Sequence, residues 1–426
     1  MTLNTDQKNA FIRVIQFIND PTERFMIVSG GAGTGKTYFI SQIADNILKM
    51  KNPNIPLNNV AITATTNKAA AVIAQAMPNK ANEIKTVYSF MNLRVSENYA
   101  TGEQKVIPTK NWMIHSNVLL IIDECSMINR KLYDYINQGL DSTCKILLVG
   151  DANQLAPVKE NLSPIYKGGF HMSELKIPVR NSSQDALMNL CKEAKETVLT
   201  GKFTPIKEVP GVIDFVKGNV LKGILQREYI TPSSDKRILC YTNNQVLGYN
   251  SYIRQVRGYK EPYAVGEIVS NNEACEYAGK TTLYTDQVFE IISIVSKQEN
   301  SKIINGSLVP TITLEIKDVY TLDTYQVEVF ENAQDRKYIL NQLAKNKEWL
   351  RYFSIKNAIP DLRSVAASTT HKAQGSTYNS VIVDLTDIGS CTNRDQTARM
   401  QYVALSRAKN RIFIKGTLQE RYFDAN

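Results

Sequence analysis

The stretch IVSGGAGTGKTYFI, residues 27–40, joins an apolar run to an amphipathic segment through a glycine-rich loop. Gly30, four further residues and then Gly35-Lys36-Thr37 have the P-loop spacing G-x-x-x-x-G-K-S/T. The residues before the loop favour a strand, and those after it repeat apolar side chains at helical spacing. This order of strand, loop and helix predicts a parallel α/β sheet with a nucleoside triphosphate site at the start of the helix.

Each residue type in the loop has a use in binding phosphate. Backbone N–H groups that point inward would form an anion cradle, with contributions from Gly31, Ala32, Gly33, Thr34 and Gly35. Lys36 would reach the β- and γ-phosphates, and the Thr37 hydroxyl would ligate Mg²⁺. The alternative, a glycine-rich turn without a ligand, leaves the Lys-Thr pair without a purpose.

The composition of the 426 residues is typical of a globular protein, with 43% hydrophobic and 21% charged residues. No apolar run approaches the ~20 residues of a membrane span, and the N-terminus lacks the features of a secretory signal. Six scattered cysteines and three histidines favour reduced thiols in a cytosol-like compartment, and argue against a disulfide framework or a zinc site. The net charge of +9 suits a polyanionic partner such as nucleic acid.

Strand-like and helix-like stretches alternate after the P-loop. Apolar strand candidates at 59–65, 118–124 and 144–151 are separated by helical stretches near 67–76 and 130–139. This alternation predicts a parallel sheet covered on both faces, with ligands beyond the carboxyl ends of its strands. The same alternation of strand-like and helix-like stretches resumes later and predicts a second α/β domain, built from the stretches 236–245, 364–385 and 411–416.

Two segments differ from this alternation. Residues 262–330 alternate apolar and polar side chains between turn signals, which predicts a small antiparallel β module, and residues 332–353 predict one amphipathic helix after it. An insertion at about 86–116 contains RVSENYATGEQKVIP, which indicates two short strands around a Thr-Gly turn. Such a hairpin is about as often an ordinary surface feature as a functional one.

Two acids directly after an apolar strand have a specific use beside a P-loop. Asp123 would hold Mg²⁺, directly or through water, and Glu124 would orient and deprotonate the attacking water. Gln154, after the next strand, could hydrogen-bond both a γ-phosphate oxygen and that water. The alternatives are a solvated strand end for the two acids and a surface position for Gln154.

Arg180 and Arg407, outside the first domain, could supply positive charge opposite the phosphates. The nucleotide would then lie in a cleft between two lobes.

Two loops are rich in hydroxyl side chains, TATTNKAA at 63–70 and ASTTHKAQGSTYNSVIVD at 367–384. Hydroxyls and loop N–H groups bind a nucleic-acid backbone without sequence preference. Two such loops on one face could hold a single strand and move it as the cleft opens and closes. His371 could instead be a catalytic base, but no nucleophile or orienting partner accompanies it.

Seven blocks occur in an order that is more specific than any one of them. They span nearly the whole chain and read GGAGTGKT, ATTNKAA, DECSM, GDANQLAPV, VRNSS, STTHKAQGSTYNSVIVD and YVALSRAKNR. The chain resembles superfamily-one helicases of the 5′→3′ branch, and is similar in length and layout to the small phage Dda-type and RecD-like helicases. The resemblance implies an ATP- and Mg²⁺-dependent 5′→3′ DNA helicase that translocates on single-stranded DNA and separates duplex strands.

The resemblance also implies a domain organisation and a setting. RecA-like domain 1 would span 1–178 with a hairpin insertion at 86–116, and RecA-like domain 2 would comprise 179–261 and 359–426 around an SH3-like insertion with its following helix at 262–358. Single-stranded DNA and its junctions with duplex would be the substrates, with replication or single-strand-binding proteins as candidate partners. A monomer without membrane attachment, in the host-cell cytoplasm of a virus, is the expected state.

Individual roles follow from the matched blocks. Gln7 resembles the glutamine that reads adenine, which implies ATP, and Arg180 and Arg407 fall on the two arginine-finger blocks. Gln374 and Gly375 fall on the block that links the nucleotide cleft to DNA. Contacts to the DNA strand are implied for Thr65, Thr66, Asn67, Ser89, Thr370 and His371.

The chain departs from the family pattern at three places. Many relatives carry an aromatic residue before the finger arginine, where this chain has Val179, so base stacking from that side is in question. Ala156 stands where relatives often have the first proline of Q-L-P-P, and Tyr99 is the aromatic residue beside the hairpin tip. An RNA or ribonucleoprotein-remodelling helicase, and a nucleotide-switched binding module that does not unwind, are the alternative functions.

Replacing Lys36 with alanine is expected to abolish ATP hydrolysis stimulated by single-stranded DNA, because the ammonium group that would contact the phosphates is lost. The measurement is steady-state phosphate release with and without single-stranded DNA, with circular dichroism to check that the fold is intact. Turnover equal to that of the unmodified protein would contradict the phosphate-binding role of Lys36.

Overall fold

The computed structural model describes residues 3–47, 57, 59–157, 160, 162–177, 179, 185–277, 281–304 and 307–423. The helices within these residues are α1 (Thr5–Asn19), α2 (Lys36–Asn46), α3 (Asn67–Ala76), α4 (Val87–Phe90), α5 (Arg130–Gly139), α6 (Asp185–Thr200), α7 (Gly218–Glu228), α8 (Asn243–Val256), α9 (Ala333–Lys345), α10 (Trp349–Ala358), α11 (Leu385–Ile388) and α12 (Arg394–Leu405). No helix in this part of the chain has the length and apolar character that crossing a membrane requires.

The strands in the same residues are β1 (Phe25–Gly30), β2 (Asn59–Ala64), β3 (Lys85–Thr86), β4 (Leu93–Glu97), β5 (Gln104–Pro108), β6 (Val118–Asp123), β7 (Lys145–Gly150), β8 (His171–Leu175), β9 (Ile213–Val216), β10 (Lys236–Cys240), β11 (Ile268–Asn271), β12 (Cys275–Tyr277), β13 (Thr281–Leu283), β14 (Val288–Ile304), β15 (Ser307–Asp318), β16 (Thr324–Phe330), β17 (Leu362–Ser364), β18 (Ala367–Thr369), β19 (Tyr378–Asp384) and β20 (Ala408–Lys415).

The first sheet is parallel throughout and has the strand order β3-β2-β6-β7-β1-β8. β1, β6 and β7 are buried along their whole length, as expected for central strands with helices on both faces. One apolar cluster contains Phe39 and Ile43, and a separate one contains Ile122 and Ile136. The predicted parallel α/β fold is confirmed here, and the loops after β1, β2, β6 and β7 converge at one edge of the sheet.

The second sheet is also parallel and has the strand order β18-β10-β19-β20-β9. One apolar cluster contains Val381 and Val403, and another contains Ile238 and Ile382. The prediction of a second α/β domain is therefore confirmed. We call residues 3–177 the first lobe, and residues 185–256 together with 367–423 the second lobe.

The β module lies between α8 and β18 in the chain. Its strands have the order β16-β15-β14-β11-β17, and every neighbouring pair is antiparallel, which confirms the prediction of an antiparallel β module. Alternate residues of β15, namely Ile312, Leu314 and Ile316, are buried in one apolar cluster, as the two-residue period of a strand requires.

The segment after the module forms two helices, so the prediction of one amphipathic helix over 332–353 is wrong. α9 ends at Lys345 and α10 begins at Trp349, and between them Lys347 adopts a φ of 59°. A residue in this left-handed conformation cannot continue a right-handed helix, so the chain turns there. Leu343 and Phe353 are both buried, so each helix packs an apolar side of its own.

The insertion in the first lobe contains β4 and β5, which pair as antiparallel strands. Gly102 closes the turn between them at a φ of 76°, and its N–H donates to the carbonyl of Asn98 over 2.8 Å. A Cβ at Gly102 would lie 2.6 Å from the Trp349 ring of α10. The ring centroids of Tyr99 and Phe353 are 5.8 Å apart, so the turn rests on α10.

Candidate nucleotide-binding site

The loop after β1 has the backbone geometry that a phosphate cradle requires. Gly33 and Gly35 adopt φ values of 81° and 79°, in the left-handed region that favours glycine, and Gly35 directly precedes α2. The Thr34 hydroxyl donates to the carbonyl of Gly31 over 2.9 Å. Lys36 Nζ donates to the carbonyls of Gly30 at 2.8 Å and Gly31 at 3.2 Å, so its ammonium group lies on the loop. Thr37 follows in the first turn of α2.

Asp123 ends β6 in a buried position, and Glu124 follows it with a φ of 52°. A non-glycine residue in this conformation carries strain of about 1–3 kcal/mol, which is typical of functional positions. Burial, and secondly the charge of Glu124, raise the pKa of Asp123 to about 7, whereas the charge of Lys36 opposes this rise. Two acids and one ammonium group therefore share one pocket, and a further cation would favour the ionised carboxylates.

Two buried acceptor oxygens, on residues that follow β6 and β7, have no hydrogen-bond partner among the described residues: Glu124 Oε2 and Gln154 Oε1. Gln154 follows β7 and is 2% exposed. Buried polar atoms are normally paired, so these two indicate a missing group that donates hydrogen bonds or carries positive charge. Magnesium and bound water both fit, since Mg²⁺ prefers oxygen ligands and retains several waters.

Gln7 and Val179 both contact the P-loop. Gln7 is buried, and its side-chain amide donates to the carbonyl of Thr34 over 3.1 Å. The Val179 N–H donates to the carbonyl of Gly33 over 2.7 Å. A Cβ at Gly35 would lie 2.6 Å from Gln7 Nε2 and 3.5 Å from Val179 Cγ2. Gln7 and Val179, which the sequence analysis assigned to the adenine side of the site, therefore both lie next to Gly35.

The second lobe contacts this site through α12. The Tyr402 hydroxyl donates to Asp151 Oδ2 over 2.7 Å, and the Ala32 N–H of the P-loop donates to the same hydroxyl over 3.4 Å. Arg399 Nη1 donates to the carbonyls of Ala152 at 2.8 Å and Gln154 at 2.9 Å. The two lobes thus share one crevice. The sequence analysis did not single out Arg399 and Tyr402, although their three-residue spacing on a helix could have indicated a common face.

The loop before β19 also reaches the first lobe. Gln374 Nε2 donates to the carbonyl of Leu155 over 3.3 Å. Gly375 has a φ of 71°, and a Cβ there would lie 3.7 Å from Glu124 Oε1. Both residues therefore lie next to first-lobe residues of the candidate nucleotide site.

A further contact joins the two hydroxyl-rich loops. Lys68 Nζ of α3 lies 5.9 Å from the centroid of the Tyr378 ring, and the Arg237 guanidinium lies 5.0 Å from it. Burial by itself raises the pKa of Tyr378, but the charges of Lys68 and Arg237 together lower it to about 7. The lobes therefore also meet where the two hydroxyl-rich loops lie.

Of the two candidate finger arginines, Arg407 lies within the described residues. Arg180 lies outside the described residues. Arg407 is 4% exposed and donates to the carbonyls of Val403 and Ser376, at 3.0 and 3.1 Å, and to the Ser406 hydroxyl at 3.0 Å. These described contacts are all within the second lobe, and its role as an arginine finger stays a prediction.

The residues implied as DNA contacts fall into two groups. The hydroxyls of Thr65 and Thr370 are buried and donate to the carbonyls of Glu124 and Cys240, each over 3.1 Å. Each hydroxyl therefore ties its loop to the end of the neighbouring strand, β6 for Thr65 and β10 for Thr370. The others are exposed or half-buried, namely Thr66, Asn67, Ser89 and His371.

Known proteins match both lobes. Residues 15–160 match the AAA domain family and residues 364–414 match the UvrD-like helicase C-terminal domain. The ATP-dependent DNA helicase dda of Enterobacteria phage T4 is 24% identical over 452 residues, which covers 96% of this chain and 98% of that protein. The RecBCD enzyme subunit RecD of Mycolicibacterium smegmatis is 21% identical over 427 residues, covering 92% and 68%. A crystal structure of Pif1 helicase from Bacteroides with ADP-AlF3 and ssDNA has a TM-score of 0.54 at 16% identity, covering 100% of this chain and 95% of that chain.

A P-loop that lies between two parallel-sheet lobes defines a two-lobed P-loop ATPase. The two family matches and the nearly full-length relatives support an ATP-dependent helicase of superfamily one that is similar to Dda and RecD, and its fold is similar to that of Pif1. The resemblance to Dda-type and RecD-like helicases inferred from the seven ordered blocks is thereby confirmed, and the 5′→3′ direction stays a prediction.

Replacing Glu124 with glutamine is expected to lower kcat for ATP hydrolysis by about 10²–10⁴, the range for loss of a general base. The amide keeps the shape of the side chain, so ATP affinity measured by equilibrium titration is expected to persist. Glu196→Gln, the same exchange at an exposed position of α6, is the matched control. A kcat for Glu124→Gln equal to that of this control would contradict the role as base.

Proposed function

We propose that this helicase uses ATP to move 5′→3′ along single-stranded DNA and to separate the strands of a duplex. The observation that carries the proposal is the shared crevice, in which Tyr402 and Arg399 of the second lobe contact the P-loop and the loop after β7. Because groups from both lobes border the nucleotide site, ATP binding and hydrolysis would alter the angle between the lobes.

Two observations favour DNA as the polyanion, and a third favours nucleic acid in general. The T4 relative is named an ATP-dependent DNA helicase, and its alignment covers nearly the whole chain. The Bacteroides Pif1 structure that shares the fold was solved with ssDNA. The net charge of +9 suits a phosphate backbone of either kind, so it supports nucleic acid without choosing between DNA and RNA.

The pocket offers one group for each need of phosphoryl transfer. Asp123 and Thr37 would hold Mg²⁺, which would neutralise charge on the phosphates. Glu124 would accept the proton of the attacking water at its unpaired Oε2, and Gln154 would orient that water through its unpaired Oε1. Lys36 would exchange its loop carbonyls for phosphate oxygens, and would then oppose the charge that develops there.

Arg180 and Arg407 remain the proposed arginine fingers. Arg407 would have to exchange its bonds to Ser376 and Val403 for phosphate oxygens, so it would act only after the crevice closes further around ATP. Gln7 would read adenine, and Val179 would supply apolar contact to the base in place of an aromatic ring.

The strand would run across the face where the two lobes meet. Thr66 and Ser89 of the first lobe and His371 of the second lobe are not buried, so their side chains can reach a backbone phosphate. Asn67 begins α3, and the N–H groups at this helix start would add donors for phosphate.

The proposed domain boundaries are those implied by the family, with RecA-like domains at 1–178 and at 179–261 with 359–426, and an SH3-like insertion at 262–358. The β4–β5 hairpin would be the wedge that splits the duplex. Its contacts with α10 support this role, since Asn357 Nδ2 donates to both carboxylate oxygens of Glu97 at 2.9 and 3.0 Å, and Tyr99 packs on Phe353. A wedge needs such a rigid support.

Unwinding of duplexes with a single 5′ or a single 3′ tail tests direction and substrate together. The 5′-tailed DNA duplex is expected to be separated in the presence of Mg·ATP, while the 3′-tailed duplex stays intact. Preference for the 3′ tail would refute the proposed direction. Stronger activity on RNA duplexes would favour the RNA alternative, and ATP turnover without strand separation would favour a nucleotide switch.

The wedge is tested by Gly102→Ala, whose added Cβ would clash with the Trp349 ring and displace the turn from α10. Strand separation is expected to slow several-fold, while ATP hydrolysis stimulated by single-stranded DNA persists. Gly211→Ala is the control, because Gly211 has a similar φ of 83° with nothing within 4 Å of the added Cβ. Equal unwinding by the two variants would argue against the wedge.

A further inference from the structure

α12 runs from the proposed strand-binding loop to the nucleotide site. In its first turn, Gln396 Nε2 donates to His371 Nε2 over 3.4 Å. Arg399 and Tyr402 follow at three-residue intervals and contact the first lobe. Residues at this spacing lie on one side of a helix, so one side of α12 touches both functional regions.

The contacts at the nucleotide end hold the loop that carries Gln154. Arg399 donates to the carbonyl of Gln154 itself and to that of Ala152, two residues earlier. Tyr402 holds Asp151 at the start of the same loop and accepts a hydrogen bond from Ala32 of the P-loop. Hydrogen bonds hold only within a narrow range of distance and angle, so the loop has to follow α12 to keep these bonds. A small shift of α12 would therefore move the Gln154 side chain relative to a bound nucleotide.

The chemistry of these two side chains suits a positional role. Arg399 also pairs with Asp395 at 2.9 Å, which fixes the guanidinium on its own helix. Burial, and secondly the charge of Asp151, raise the pKa of Tyr402 well above its ordinary value, so its hydroxyl stays protonated and donates. Neither group has to ionise or react for the contacts to form.

We propose that the side of α12 formed by Gln396, Arg399 and Tyr402 transmits strand binding at His371 to Gln154, and that Arg399 and Tyr402 are positioning residues for ATP hydrolysis. The inference rests on the proposed function, because it needs a strand bound at His371. It explains how an occupied strand site would accelerate hydrolysis without touching the nucleotide.

Gln396→Leu tests the strand end, because it keeps the size of the side chain and removes its bond to His371. The kcat at saturating single-stranded DNA is expected to fall about tenfold, equivalent to about 1.4 kcal/mol. ATPase without DNA and the Kd for single-stranded DNA are expected to stay unchanged. Gln226→Leu, the same exchange at an exposed position of α7, is the control and is expected to retain full stimulation.

Tyr402→Phe tests the nucleotide end by removing one hydroxyl. It is expected to lower the DNA-stimulated kcat while leaving the circular dichroism spectrum and the Kd for single-stranded DNA unchanged. In the double variant with Gln396→Leu, stimulation is expected to be no weaker than in the more affected single variant, because both act on one route.

The outcomes separate the two proposals. If the unmodified protein shows no stimulation by single-stranded DNA, the proposed function itself fails. If stimulation occurs and Gln396→Leu retains it, or if the two single losses multiply in the double variant, the route through α12 is wrong.

Discussion

The loop after β7 carries Gln154, yet the second lobe supplies hydrogen bonds to its backbone. Arg399 binds two of its carbonyls, Gln374 binds a third, and Tyr402 binds the side chain of Asp151. Backbone carbonyls at a nucleotide site are costly to leave unpaired. The position of this loop therefore depends on the angle between the lobes, and this dependence is what a motor needs to connect chemistry with movement.

Both lobes also contribute residues around the acid pair. Asp123 and Glu124 come from a strand end of the first lobe, where burial and mutual repulsion raise the pKa of Asp123. Gly375 of the second lobe lies near Glu124. An unrelieved acid pair is unfavourable by itself, and Lys36 offsets it only in part. The pocket is thus arranged for a ligand that brings positive charge, which agrees with the oxygen atoms that remain unpaired there.

The β module and its helices form a third body that touches the first lobe through the hairpin. Asn357 binds Glu97, and Trp349 covers Gly102. The break at Lys347 sets the direction of α10, and with it the surface on which the turn rests. The segment that departs from the predicted single helix is therefore the one that supports the hairpin.

The sequence by itself determined the two parallel sheets, the P-loop and the acid pair, because strand periodicity and glycine spacing are local properties of the chain. It also located Gln154 and Gln374 through ordered motifs. Only the tertiary structure revealed that Arg399 and Tyr402 cross the crevice, that the hydroxyls of Thr65 and Thr370 donate to carbonyls at the ends of neighbouring strands, and that Arg407 bonds within its own lobe. These facts depend on which surfaces meet after the chain has folded, and contacts between residues 151 and 402 leave no periodic signal in the sequence.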